Sequence, residues 1–190
     1  MDTRTLIPIL IIIVAIVLIA AIVVTRKRKS AQLKEHFGPE YDRAVQQHGD
    51  PRLAEAELAE RESRVHKLSI HSLSLADREN FAREWSAVQR RFVDDPAIAV
   101  TEADRLVNQV MASRGYPMGD FEQRAADVSV SYPGVVQNYR AARDIVGRHS
   151  KGQSSTEDLR QAMVHYRSLF DELLETSKTN TTGVIHERAS

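Results

Sequence analysis

The chain has no cysteine in its 190 residues. That excludes a disulfide framework and a thiolate metal site, and it leaves the redox compartment unread. Phosphate-cradling loops are missing too: no GxxxxGK[ST] occurs, and no GxGxxG follows a strand pattern. Nor is there a GxSxG nucleophile elbow. The seven histidines, His36, His48, His66, His71, His149, His165 and His186, form neither HxxxH nor HExxH, and the Glu-x-x-His pair of di-iron bundles is absent. We therefore expect no catalytic residue, no metal ligand and no cofactor.

Excess charge of one sign is also lacking, since 26 Lys and Arg balance 26 Asp and Glu. Five of the bases and one of the acids precede residue 30, so the remainder, with 21 and 25, lies near −4. A basic nucleic-acid binder is not expected from such a balance. Two acidic pairs have simpler roles than catalysis. Asp95 of Asp94-Asp95 stands before Pro96 and reads as a helix cap, and Glu157-Asp158 falls in a first helical turn, where the helix dipole favours negative charge.

One long apolar run is present, Leu6 to Val24, LIPILIIIVAIVLIAAIVV. Its 19 residues as a helix would measure roughly 28 Å, close to the ~30 Å hydrocarbon core of a bilayer. We read it as a transmembrane anchor, with the lipid bilayer as the first partner. A cleaved signal peptide would have a shorter apolar core, its charge in front and small residues at a cleavage site. Here Arg26, Lys27, Arg28 and Lys29 follow the run instead. By the positive-inside rule these four are the topology signal: the short N-terminus faces outward and the C-terminal domain is cytoplasmic. Contact of the same cluster with anionic headgroups is a second reading. The run has no GxxxG, and Ala21 with Thr25 is its one small-xxx-small pair, so tight helix dimerisation is not signalled.

Beyond the anchor, periodicity predicts helices throughout. The membrane helix continues over SAQLKEHF to Gly38-Pro39, and Glu40 to His48 forms a short helix ended by Gly49. Asp50-Pro51 opens PRLAEAELAERESRVHKL, a solvated helix with a thin stripe of Ala54, Leu58, Val65 and Leu68. Ser74 with Asp77 caps the next helix, on which Phe81, Trp85, Val88 and Phe92 share a face and should form the centre of the core. Asp95-Pro96 starts another, striped by Val100, Ala103, Val107, Val110 and Met111 and closed by Gly115. A helix from Asp120 is preferred over a strand at VSVSY, which would have no partner. Pro133 begins a helix ending near His149, and Ser154 with Glu157, or Ser155 with Asp158, caps a last one bearing Leu159, Met163, Tyr166, Phe170 and Leu173.

The expected fold is thus all-α, a single transmembrane helix followed by a bundle of about five or six helices. Its divisions are an anchor with basic flank over 1–29, membrane-proximal helices or stalk over 30–68, the bundle over 69–175, and a disordered tail over 176–190. Asn180-Thr181-Thr182 in that tail fits a glycosylation acceptor, which matters only in a eukaryotic lumen. Pro96 to Tyr132 resembles a helix-turn-helix superficially. Its turn GYPMGD is too long, and the second helix offers phosphates only Arg124. If a local feature is a partner contact, it is this turn, where Arg114, Tyr116, Met118 and Asp120 could present mixed polar and apolar groups.

The stretch RFVDDPAIAVTEADRLVNQVMASRGYPMGDFEQRAADVSVSYPGVVQNYRAA, Arg91 to Ala142, together with HYRSLFDELL, resembles a group of bacterial proteins without assigned activity that often carry an N-terminal membrane segment. The resemblance implies a bacterial cytoplasmic membrane and carries over no catalytic residue or cofactor. The function expected is a membrane-anchored interaction or scaffold module with a protein partner. The alternatives from other classes are a tethered small-ligand sensor and a nucleic-acid-binding regulator.

Overall fold

The structure, a computed structural model, describes residues 3–175, with side chains described over 16–175. Eight α-helices and no strand occur among the described residues. They are α1 (Thr3–Phe37), α2 (Pro39–His48), α3 (Pro51–Val65), α4 (Leu75–Asp94), α5 (Pro96–Ser113), α6 (Phe121–Ser131), α7 (Val136–His149) and α8 (Thr156–Glu175). VSVSY is helical except for Tyr132, as the lack of a pairing strand requires. The tail over 176–190, with Asn180, lies outside the described residues.

Local chemistry sets most boundaries. Gly38 (φ 48) separates α1 from Pro39 at the start of α2, and Gly49 takes the left-handed conformation that closes α2. Ser74 accepts from the Asp77 N–H, Asp95 from that of Ile98, and Asp120 from that of Gln123. Of the two caps weighed for α8, Ser155 with Asp158 forms the reciprocal box, whereas Ser154 Oγ meets His149 Nδ1 at 2.9 Å. One expected start moves. Pro133 does not open α7, because Val135 and Val136 both donate to the Tyr132 carbonyl and fold Pro133-Gly134 into a turn.

Two compact units divide the chain, Met1–Leu58 and Ala59–Ser190. In the first, α1 packs on α2, and Leu33, Phe37, Tyr41, Ala44, Ala54 and Leu58 are buried. Tyr41 Oη donates to Glu55 Oε1 at 3.0 Å, linking α2 to α3. Among the described residues no helix is long and apolar enough to cross a membrane. The predicted anchor lies wholly on α1, but the side chains from Leu6 to Ala15 fall outside the described ones.

The second unit is a bundle whose packing runs α4 on α5, α5 on α8, and α8 on α7, with α6 against α7. A single residue, Asp95, joins α4 to α5, so they form an antiparallel hairpin, closed near its turn by Arg91 Nη1 on Glu102 Oε1 at 2.7 Å. The centre of the core is α5, not α4. Ala99, Val100, Ala103, Leu106, Val107, Val110 and Met111 are buried because α5 is sandwiched between α4 and α8. From the outer helix α4, Trp85 and Val88 reach the interior, Trp85 stacking on Phe170 at 4.6 Å. Phe81 and Phe92 are half-buried at the edge.

Candidate functional site

The loop between α5 and α6 was the expected contact surface, and its four residues separate. Arg114 is buried. Its Nη1 donates to the Leu173 carbonyl at 2.9 Å and to Tyr132 Oη, its Nε reaches the His71 carbonyl at 3.3 Å, and its guanidinium lies over the Tyr132 ring. Leu173 belongs to the last turn of α8, so the cation sits where that helix's carbonyls are otherwise unpaired. Tyr116 is buried as well, and burial raises its phenol above the ordinary range, only partly opposed by Ser131. Its hydroxyl falls short of a hydrogen bond. Asp120 is exposed but engaged as the α6 cap, which leaves Met118 as the free exposed group. The contact surface drawn through Arg114 and Tyr116 is therefore corrected: both serve the interior.

A polar seam crosses the bundle, unforeseen in the sequence. Asp104 on α5 receives Tyr166 Oη at 2.9 Å, Arg143 Nη1 at 3.2 Å and Asn108 Nδ2 at 3.3 Å. Tyr139 Oη donates to Asn108 Oδ1 at 3.1 Å, so four helices share one network once Arg124 Nε of α6 reaches Tyr139 at 3.4 Å. Burial and the Asp104 carboxylate raise the Tyr166 phenol far above its usual value, and burial raises Tyr139 against Arg124. Both tyrosines stay neutral donors at neutral pH. The signal available beforehand was polar Asp104 and Asn108 on the apolar side of α5, with tyrosines on two facing stripes that needed partners. A second buried contact joins α3 to α6: Arg64 grips Asp127 Oδ1 at 3.0 Å, and Arg61 reaches Ser129 Oγ at 3.4 Å.

No group of three or more His, Asp or Glu side chains that could hold a metal occurs among the described residues. The groove along Ile98, Thr101, Glu102, Arg105 and His149 is shallow, and its acid is already held by Arg91. The second helix of the segment that resembles a helix-turn-helix is α6. Residues Ala125 to Ser129 of α6 are buried, and Arg124 is turned onto the Gly119 carbonyl and Tyr139.

On α1 the picture differs. Ile16, Val17, Leu18, Ile19, Ile22, Val23 and Val24 are all exposed. Arg26, Lys27, Arg28 and Lys29 follow, also exposed, with no acidic partner among the described residues. Among the described residues the arrangement is all-α, with exposed apolar side chains from Ile16 to Val24 on α1 and, later in the chain, a bundle whose internal polar groups hold helices together. No family model, curated protein or solved structure matches the chain.

Proposed function

We propose that the chain is a single-pass membrane protein in which α1 is the anchor and the helical bundle is a cytoplasmic interaction or scaffold module. One observation carries this reading: the seven large apolar side chains from Ile16 to Val24 are 45% to 61% exposed. At ~100° per residue they cover every face of the helix, so packing against one side of a partner would leave most of them in water. Covering an aliphatic side chain is worth about 1.5–3 kcal/mol. Seven sum to the order of 10 kcal/mol, comparable to the whole stability of a domain. Hydrocarbon covers all faces at once.

The interaction reading draws support from the bundle's surface, where Val93 (83% exposed) and Ile98 flank the α4–α5 turn beside half-buried Phe92. Expressed in a bacterium, the full chain should stay in the membrane pellet after alkaline carbonate and leave it in detergent. Release by carbonate alone would contradict the anchor.

A further inference from the structure

We infer that residues 26–29 form a ring that selects anionic phospholipid headgroups around the anchor; this rests on the membrane reading above. Three zones follow one another along α1. Through Val24 the described side chains are apolar and exposed, and Thr25 Oγ1 folds back onto the Ile22 carbonyl at 3.0 Å, so its hydroxyl needs no water. From Leu33 the helix has protein cover, with Leu33 and Phe37 buried and Lys34 drawn over the Tyr41 ring.

Between these zones stand Arg26, Lys27, Arg28 and Lys29. Four successive helical residues sweep roughly 300° around the axis, so the cations encircle the helix. From Arg26 to Ser30 the rise is about 6 Å, which matches the ~5–7 Å that headgroups add on each side of the hydrocarbon. The nearest acids do not neutralise the ring. No Asp or Glu occurs between residues 3 and 34, and none pairs with the four bases among the described residues.

A topology signal needs only net positive charge on one side, in any arrangement. Unpaired cations on all faces, confined to the headgroup layer and followed directly by protein cover, match a shell of phosphodiester anions. Their donors reach phosphate oxygens, Arg in a fork and Lys as a point charge.

The full chain, reconstituted in phosphatidylcholine vesicles, is probed with trace spin-labelled phosphatidylglycerol or spin-labelled phosphatidylcholine, reading the motion-restricted fraction. Phosphatidylglycerol should be enriched about five-fold or more at 10 mM salt, the change one surface basic residue produces, and enrichment should collapse near 1 M salt as the screening length shortens from roughly 30 Å to 3 Å. The variant R26Q/K27Q/R28Q/K29Q should lose the preference, whereas Lys151→Gln, on an exposed bundle turn, should keep it. Equal restriction of the two lipids, or a preference that survives the fourfold variant, overturns the inference while leaving the anchor standing. Extraction of the wild-type chain from the vesicles by alkaline carbonate overturns both.

Discussion

A guanidinium shows how position in sequence and position in space can diverge. Arg114 stands in a polar loop beside a tyrosine, a methionine and an aspartate, the composition of a contact surface. Its acceptors come from residues 43, 18 and 59 positions away, and no local pattern announces them. Hydrogen bonds to a charged group are worth about 1.5–3 kcal/mol each, so Arg114→Ala should destabilise the bundle by roughly 3 kcal/mol, and Arg114→Lys by less, since one ammonium cannot span three acceptors. The sole tryptophan, Trp85, gives the readout in urea unfolding of the full chain in detergent. The midpoint should fall with its slope unchanged; an unmoved midpoint would return Arg114 to the surface. Gly115 was half legible. Its positive φ follows from the helix end, but the Ser69 carbonyl, 2.6 Å from where a Cβ would stand, does not.

At the scale of elements, what is written locally was readable. The caps at Ser74, Asp95 and Ser155 act over three residues, and each is a short polar side chain before an apolar period, whereas Asp120, expected as a contact residue, caps α6 in the same way. The start of α8 adds a titrating pair. Hydrogen bonds from Arg160 hold Glu157 down from 4.5 to about 2, and the backbone N–H of Ser155 lowers Asp158. Because folding depresses both, their contribution is complete above the unfolded carboxylate range and disappears as pH falls through the folded values. Amide protection in the first turn of α8 should therefore decline from about pH 4.5 toward 2, and Asp158→Asn should flatten part of that decline. Protection independent of pH across this window would contradict the cap. Periodicity served less well for rank. It found the face of α4 bearing Trp85, yet a stripe of large residues reads the same on an outer helix as on a central one. The small side chains Ala99 and Ala103, which let α5 lie close to its neighbours, carry less weight in any hydrophobicity count.

For the whole molecule, helical class followed from the absence of a second strand pattern and from the repeating 3.6 period. The interior network did not, because Asp104, Asn108, Tyr139 and Tyr166 meet only when three helices, α5, α7 and α8, assemble. Function sits further from the residues still. In a bundle whose polar groups are occupied in holding helices together, the outer surface carries no periodic signature. The proposed anchor rests on a different argument, the exposure of Ile16 to Val24 to solvent, and the basic residues behind it are its proposed topology signal. Lys151, exposed between α7 and α8 in a chain without cysteine, allows this to be read in one experiment. Cells carrying Lys151→Cys are treated with a membrane-impermeant maleimide before and after lysis. Labelling that appears only after lysis is the predicted result for a cytoplasmic bundle; labelling of intact cells would contradict it and place the bundle on the outer side.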